Sequence, residues 1–187
     1  MKLIADSGAT KTDWCIGKSP TDCRIIQTQG INPFHQSEEH IRMVLSEELL
    51  PQLEKEESIT HIHFYGAGCT PEKSVILKGI LRTIFPEADI SVESDLLGAA
   101  RSLCGKEKGI ACILGTGSNS CEYDGEKIVS NVSPLGYILG DEGSGAVLGK
   151  RLVGDCLKNQ LPVHIRQSFL EEIQLTPAEI IDKEDTE

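Results

Sequence analysis

The sequence lacks three features that mark particular classes of protein. None of its seven cysteines forms a Cys-X-X-Cys pair, so their spacing signals neither a zinc site nor an iron–sulfur site. No apolar run is long enough to cross a bilayer, and no basic or cleavable segment precedes the first predicted strand. Positive charge is also scarce, and the net charge of -11 argues against nucleic acid or an anionic membrane as the main partner. The scattered thiols fit a reducing cytoplasm.

The N-terminal stretch Lys2–Trp14 has the pattern of a strand, a tight turn of small residues and a second strand. Asp6 lies at the end of the first strand, where a carboxylate could position a metal ion. Gly8 would let backbone N–H groups approach an anion without obstruction by a side chain. Most such hairpins are only hairpins, but this one is a candidate phosphate-binding turn. Its other candidate phosphate ligands are Thr10, Lys11 and Thr12.

Apolar periodicity and turn signals predict the order β-β-β-α-β-α-β-α over residues 1–107. This order predicts an α/β fold, a mixed sheet with helices on its faces. Ligands of such sheets lie beyond the carboxyl ends of the strands, where Asp6, Gly66–Gly68 and Asp95 fall. The predicted strands are Lys2–Ser7, Thr12–Lys18, Cys23–Gln29, His61–Tyr65 and Asp89–Glu93. The predicted helices are Ser37–Glu54, a segment from Pro71 to Pro86, and Leu96–Leu103.

A second hairpin repeats the opening design. A buried strand is predicted at Ile110–Leu114, and the small, hydroxyl-rich turn Gly115–Ser120 follows it. Strands at Cys121–Tyr123 and Glu126–Val132 then pair through an Asp-Gly turn. Two such hairpins in one chain suggest an internal duplication. We therefore predict a first domain over residues 1–107 and an incomplete second domain over residues 108–187.

The segment Pro134–Gly145 is a glycine-dense loop with two adjacent acids, and it leads into a helix that ends near Leu157. It could be only a flexible turn, but loops of this kind commonly contact ligands. One amphipathic segment follows around Ile165–Ile173. The last residues, Asp182–Glu187, are expected to fray.

The two hairpins and the loop Gly140–Gly143 resemble the acetate kinase, sugar kinase, Hsp70 and actin superfamily. From Met1 to about Leu157 the chain resembles, more narrowly, the N-acetylglucosamine kinase and BadF/BadG/BcrA/BcrD ATPase family. The resemblance implies a ribonuclease H-like (actin-like ATPase) fold and an ATP-dependent kinase that phosphorylates an amino sugar, with ATP and Mg²⁺ as cofactors. Members of the family continue into a full second domain with an adenosine-contacting glycine loop. No such loop follows Leu157, so the chain looks C-terminally truncated.

The resemblance also assigns roles to single residues. Asp95 matches the catalytic aspartate that accepts the hydroxyl proton, although the pair Ser94-Asp95 is also an ordinary helix N-cap signature. Asp6 matches the position near the metal ion. The sugar-binding positions are Asn32, Gly68 and Asp141. The phosphate-binding positions are Asp6, Gly8, Thr10, Lys11, Thr12, Gly115, Thr116, Gly117 and Ser118.

Two other functions stay open at this point. One is a BadF-type ATPase that activates a partner enzyme, although the chain shows no convincing cysteine arrangement for the cluster of that group. The other is a non-catalytic sugar- or nucleotide-binding fragment, which the missing adenosine loop favours. We expect a small-molecule amino sugar as the partner, with no nucleic acid and no membrane. We also expect a homo-oligomer, because a half-built domain exposes apolar strand edges.

Overall fold

A five-stranded mixed sheet organises the first part of the chain in the computed structural model, which describes residues 1–19, 21–54 and 58–184. The strand order is β3-β2-β1-β4-β5. The strands are β1 (Lys2–Ser7), β2 (Lys11–Ser19), β3 (Asp22–Gln29), β4 (His61–Gly66) and β5 (Asp89–Ser94). The predicted strands are confirmed to within one residue at each end.

The pairing register brings three strand ends to the same level. Strands β1, β2 and β3 form an antiparallel meander, whereas β4 pairs parallel to β1 and β5 pairs parallel to β4. In these ladders Ser7 lies opposite Gly66, and Gly66 lies opposite Ser94. The carboxyl ends of β1, β4 and β5 therefore meet at one edge of the sheet, as the mixed-sheet prediction requires.

Three helical segments accompany this sheet: α1 (Glu38–Met43), α2 (Pro71–Ile84) and α3 (Asp95–Cys104). The single helix predicted over Ser37–Glu54 is wrong in its second half. After α1 the chain continues as a π-helix over Val44–Leu49 and a 3₁₀ turn over Leu50–Gln52. Pro51 has no N–H to donate, so a regular α-helical ladder cannot continue through it.

The main core lies on one face of the sheet and follows the strict alternation of the strands. In β1 the side chains of Leu3 and Ala5 are buried, while Ile4 and Asp6 point to the other face. Trp14 packs edge-on against Phe64 at a ring distance of 5.7 Å. Leucine and isoleucine side chains of α2 and of the 38–52 helical segment complete this core.

The second predicted hairpin is present as a three-stranded sheet of β6 (Gly109–Leu114), β7 (Ser118–Tyr123) and β8 (Ile128–Val132). The predicted bounds are wrong at two strand starts: β7 begins at Ser118, inside the predicted turn Gly115–Ser120, and β8 begins at Ile128 and not at Glu126. Helix α3 packs on it, and a small cluster of buried side chains joins the two. This cluster comprises Leu96, Ala100, Ala111, Cys121 and Tyr123. The order β6-β7-β8 repeats the β1-β2-β3 meander, but the duplication itself stays a prediction.

The chain divides into two compact units. The first comprises Met1–Ile113 and Asn119–Ser133, and the second comprises Leu114–Ser118 and Pro134–Glu187. The domain boundary predicted after residue 107 rests on an internal duplication and not on compactness, so these two units do not test it and it stays a prediction. No helix within the described ranges is long and apolar enough to cross a membrane.

The second unit is helical. It contains α4 (Gly136–Leu139), α5 (Gly145–Leu157), α6 (Val163–Ile173) and α7 (Pro177–Glu184). The amphipathic segment predicted around Ile165–Ile173 is confirmed as α6. Helix α7 continues through Glu184, and the expected fraying from Asp182 stays a prediction. Residues 185–187 lie outside the described ranges.

Candidate functional site

A cavity of about 640 Å³ opens at the carboxyl ends of β1, β4 and β5. Both predicted carboxylates, Asp6 and Asp95, line it, together with backbone of the small-residue turn at Ser7 and Gly8. The wall contributed by α3 includes Gly98, where an added Cβ would come within 2.8 Å of the Tyr65 ring. The structure thus brings the predicted base and the predicted metal-binding residue into one cavity.

Asp95 is held at the start of α3 in a partly desolvated position. Burial is the main cause that raises the pKa of its carboxyl, and the nearby charge of Asp6 raises it further. A hydrogen bond of 2.8 Å from the Leu96 N–H to Oδ1 acts in the opposite direction. The N-cap of α3 is Ser94, whose hydroxyl accepts the Leu97 N–H at 3.2 Å. Capping is therefore the role of Ser94.

The first candidate phosphate-binding turn, around Gly8, is closed by its own backbone. The Gly8 N–H donates to the Lys11 carbonyl at 2.9 Å, and the Gly30 N–H donates to the Thr10 carbonyl at 3.1 Å. A Cβ at residue 30 would come within 2.5 Å of the Gly8 carbonyl oxygen, so this neighbour must be glycine. A Cβ at residue 8 would find its nearest atom, the Lys11 oxygen, at an ordinary 3.7 Å. The fold thus leaves open space over Gly8.

The hydroxyl of Thr12 does not face that open space. Thr12 and Ser7 are both fully buried, and their hydroxyl oxygens lie 2.6 Å apart. Ser7 donates to the Ile31 carbonyl at 2.9 Å, and Thr12 donates to the Gln29 carbonyl at 3.1 Å. The predicted hydroxyl contact from Thr12 therefore conflicts with this geometry, because strand alternation turns its side chain into the core beside Trp14. The hydroxyl pair instead ties the 29–31 segment to the hairpin.

Lys11 is exposed and forms an ion pair with Asp13, with Nζ 2.8 Å from Oδ2. Its hydrogen bond with Asp13 is the main cause that raises the pKa of Lys11, and Asp6 adds a smaller effect. Exposed pairs of this kind are held weakly. The Lys11 ammonium can therefore exchange Asp13 for another anion.

The two sugar-binding candidates of the first unit, Asn32 and Gly68, lie side by side. Gly68 has φ of +71°, and a Cβ there would overlap the Asn32 Oδ1 atom, so glycine is required for both reasons. Asn32 Oδ1 accepts the Phe34 N–H at 3.0 Å. Gln36 was not singled out from the sequence, yet its Oε1 accepts the Asn32 N–H at 2.9 Å and fixes this loop.

The cavity wall also carries a cation, Arg101, that was not expected from the sequence. Arg101 lines the cavity from the last turn of α3 and donates to the Tyr65 hydroxyl at 3.2 Å. It lies six residues after Asp95, and the sequence signal was a single arginine in an otherwise small and apolar helix. The cavity therefore holds positive charge as well as two carboxylates.

The second candidate phosphate-binding turn, residues 115–118, lies beside Asp141 in the second unit. The Asp141 carboxylate is almost fully buried, and its Oδ1 accepts the Ser118 N–H at 3.1 Å. The first amides of α5 donate to the same turn, from Gly145 to the Gly115 oxygen at 2.8 Å and from Ala146 to the Thr116 oxygen at 3.3 Å. The turn is thus fixed from two sides.

The fit of the site to Mg²⁺ rests on its carboxylates. Within the described part of the chain no group of three or more His, Cys, Asp and Glu side chains is arranged to hold a metal ion. Mg²⁺ needs less than that, because one or two carboxylates together with substrate phosphates commonly bind it. Asp6, which lines the cavity, meets this requirement with one carboxylate.

Cys69 is a buried thiol close enough to Asp95 to be affected by its charge. Burial, aided by the charge of Asp95, raises the pKa of the Cys69 thiol to about 12. The thiolate is the nucleophilic form, so a thiol with this pKa is inert at neutral pH. Cys69 is therefore a core residue.

Solved structures of three other proteins are similar to this chain. Over 97% of its length the chain is similar to a Porphyromonas gingivalis protein provisionally named N-acetylglucosamine kinase, with 55% identity and a TM-score of 0.91, and it spans 65% of that protein. A Chromobacterium violaceum protein with the same provisional name shows 19% identity and a TM-score of 0.67, with 95% of this chain and 70% of that protein covered. MamK bound to AMPPNP shows 13% identity and a TM-score of 0.56, with coverages of 91% and 64%.

No family profile and no curated protein matches the chain. The likenesses to the second and third structures are below 25% identity, so they bear on the fold alone. The first likeness extends to the sequence over almost the whole chain. The chain therefore has the fold of the actin-like ATPases and sugar kinases, and it is similar in sequence to a bacterial protein provisionally named N-acetylglucosamine kinase.

Proposed function

We propose that this chain is an ATP-dependent kinase that phosphorylates an amino sugar, N-acetylglucosamine. The observation that carries the proposal is the 55% identity, over 97% of the chain, to a protein provisionally given that activity. The cavity supports it, since it combines a desolvated carboxylate, a second carboxylate and the small-residue turn. The chain spans 65% of that protein, so the proposal concerns the chemistry that this part can carry.

Asp95 is the proposed general base. Phosphoryl transfer needs positioning and charge neutralisation more than covalent chemistry, and a base must accept the proton of the attacking hydroxyl. Burial raises the pKa of Asp95, which makes its carboxylate a better proton acceptor than an exposed aspartate. Mg²⁺, when bound beside Asp6, would neutralise charge on the phosphate oxygens.

ATP is the proposed phosphoryl donor. The AMPPNP bound to MamK supports a nucleotide for this fold. In the first turn the open space over Gly8 would admit a phosphate to the backbone, with Lys11 and Thr10 at its side. The second turn, with the residues Gly115, Thr116, Gly117 and Ser118, is also proposed to contact phosphates. The Gly115 N–H donates to the Gly117 carbonyl and the Ser118 N–H donates to Asp141, so the proposed contacts come from the amides of Thr116 and Gly117 and from the hydroxyls of Thr116 and Ser118.

The sugar is proposed to bind at Asn32 and Gly68. The Asn32 side-chain amide lies against the carboxyl end of β4, and Gln36 holds its backbone in place. A preorganised hydrogen-bonding group discriminates strongly between hydroxyl-bearing ligands. The seven free cysteines agree with a proposed cytoplasmic location. Self-association also remains a proposal.

The test is the release of ADP from Mg-ATP, with and without N-acetylglucosamine, by the chain and by Asp95→Asn. Asp89→Asn is the matched control, because it makes the same change on the exposed opposite end of β5. We expect sugar-dependent turnover that falls by about 10²–10⁴-fold in Asp95→Asn and is unchanged in Asp89→Asn. Equal turnover by Asp95→Asn would refute the base assignment.

Absence of turnover in the unmodified chain would refute the kinase proposal for this chain. Titration calorimetry with N-acetylglucosamine then separates the alternatives. Saturable binding without turnover would identify a sugar-binding fragment, which the 65% coverage of the relative favours as the second candidate. Turnover of ATP without any effect of the sugar, together with iron in the purified protein, would identify the partner-activating ATPase.

A further inference from the structure

Cys15 and Cys23 lie on neighbouring strands, β2 and β3, on the sheet face that is turned away from the main core. In the antiparallel ladder Cys15 lies opposite Ile25, and Gly17 lies opposite Cys23. Opposite residues share a face, and so do residues two apart on one strand, so both thiols leave the sheet on the same side. Cys15 is half-buried and Cys23 is exposed. The two cysteines are therefore diagonal neighbours.

Gly17 lets Cys23 approach β2 unusually closely. A Cβ added at residue 17 would come within 2.5 Å of the Cys23 Cβ and within 2.3 Å of the Asp22 carbonyl oxygen. The Cβ atoms of an ordinary cross-strand pair are about 4.5–5.5 Å apart, so Cys23 takes the space that a side chain at residue 17 would need. The register shifts between Gly17 and Ser19, and such an irregularity bends and twists a strand locally. This close approach is what allows a diagonal pair of thiols to meet.

The two thiols are in hydrogen-bonding contact. Burial raises the pKa of the Cys15 thiol, and a hydrogen bond with Cys23 raises it further. A hydrogen bond that raises the pKa of an acid is one that the protonated form makes, so Cys15 donates its S–H to the Cys23 sulfur. Cys23 is then the thiol that meets a reagent from solution, and Cys15 is held behind it.

A cavity of about 430 Å³ lies against this pair. Cys15 and Cys23 both line it, and so do Lys2 and Lys18. Positive charge beside a thiol favours the thiolate, which is the nucleophilic form. The same charge attracts molecules that carry carboxylates. The cavity therefore suits a small disulfide with carboxylate groups.

We propose that Cys15 and Cys23 form a thiol–disulfide exchange site for a small, anionic disulfide, and that the exchange joins them in a reversible disulfide bond between β2 and β3. In the first step the Cys23 thiolate attacks one sulfur of the small disulfide, so that a mixed disulfide forms on Cys23 and one thiolate leaves. In the second step Cys15 loses its proton to solvent and attacks the Cys23 sulfur, which releases the second thiolate. The protein sulfurs lose two electrons and two protons, and the small disulfide takes them up as two thiols. This exchange does not depend on the proposed kinase function.

The test treats the whole chain with glutathione disulfide. Trypsin cleaves after Lys11, Lys18 and Arg24, so the two cysteines fall in separate peptides, Thr12–Lys18 and Ser19–Arg24. After the remaining thiols are alkylated, mass spectrometry of these peptides shows whether Cys23 is reduced, carries glutathione or is linked to Cys15. We expect the linked peptides as the main product. Glutathione that stays on Cys23 without linked peptides would overturn the inference, and so would a Cys23 that does not react.

Two serine variants and one control assign the steps. In Cys15→Ser the reaction should stop at the mixed disulfide on Cys23, with about tenfold or more of it than in the unmodified chain, because the second thiol is gone. Cys23→Ser should leave Cys15 without glutathione. Cys112→Ser is the matched control, because it removes another exposed thiol and should leave the linked product unchanged. Fluorescence of the buried Trp14 verifies that each variant is folded.

A second measurement tests whether the fold, and not the short spacing along the chain, brings the thiols together. The equilibrium constant for linking is measured in a glutathione buffer, once with the folded chain and once in urea. We expect a constant about tenfold or more larger for the folded chain, because the sheet holds the two sulfur atoms next to each other. An equal or smaller constant for the folded chain would overturn the inference.

Discussion

The most informative single substitution is Gly8→Ala, because it separates the fold of the first turn from its proposed use. The added Cβ would find its nearest neighbour at 3.7 Å, an ordinary contact. Gly8 is also absent from the positive-φ glycines among the described residues. The fold should therefore accept alanine at this position, and the free energy of unfolding should be unchanged or higher by up to about 1 kcal/mol.

Gly30→Ala is the matched comparison, because the same methyl group would come within 2.5 Å of the Gly8 oxygen and 2.7 Å of Ala9 backbone atoms. These atoms would have to move by roughly an ångström, and overpacking of this kind costs about 1–3 kcal/mol. In a chain of 187 residues each kcal/mol lowers the Tm by about 2–4 °C. We expect Gly30→Ala to lose several degrees and Gly8→Ala to lose none.

Trp14 provides the assay for stability. It is the only tryptophan in the sequence and is fully buried in the first unit, so its fluorescence reports the unfolding of that unit. In the kinase assay the added methyl of Gly8→Ala would block the approach of a phosphate to the turn. Loss of a hydrogen bond to a charged ligand should then raise the KM for ATP about 10–100-fold. A stable Gly8→Ala variant with an unchanged KM for ATP would refute the phosphate role of this turn.

Three further substitutions give distinct expectations. Thr12→Val should lower the free energy of unfolding by about 1–3 kcal/mol in the Trp14 assay, because the Ser7 hydroxyl and the Ile31 N–H lose a buried hydrogen-bond partner. A change below about 0.5 kcal/mol would contradict this network. Asp95→Asn should raise the Tm at neutral pH, because the raised pKa means that the folded state disfavours the ionised Asp95 carboxylate. Stability from this group is lost as the pH rises through the folded-state pKa, so the difference in Tm between the variant and the unmodified chain should depend on pH. A difference in Tm that is independent of pH would argue against desolvation. Lys11→Met should leave the Tm unchanged, because the ion pair with Asp13 is exposed, but it should raise the KM for ATP, and equal KM values would remove Lys11 from the site.

Much of the first unit could be predicted because each strand of its sheet buries the side chains of one face in the core. The alternation Leu3, Ala5, Ser7 set the inward face of β1, and turn residues set the ends of the meander. The same alternation could have placed Thr12 correctly. Trp14 and Ile16 mark the buried face of β2, and Thr12 shares it. The residue types of a turn do not show which face each side chain takes, whereas the alternation of the strand does.

The common edge formed by Asp6, Gly68 and Asp95 was predicted from a rule about parallel strands, and the register confirms the level strand ends. The roles of these residues stay predictions, since a shared cavity shows proximity and not chemistry. The π-helical turn before Pro51 was not predicted, because hydrophobic periodicity does not distinguish an α-helical ladder from a wider one.

The sequence by itself determined the strands, the two hairpins, the glycine-rich turns and the acid at each strand end, because these follow from local periodicity and turn chemistry. Only the tertiary structure decided which groups those acids meet. The carboxylate of Asp141 lies 23 residues along the chain from the Ser118 amide whose hydrogen bond it accepts, and no local pattern encodes that pairing. The desolvation that raises the pKa of Asp95 likewise arises from residues packed around it, so it exists only once the chain has folded.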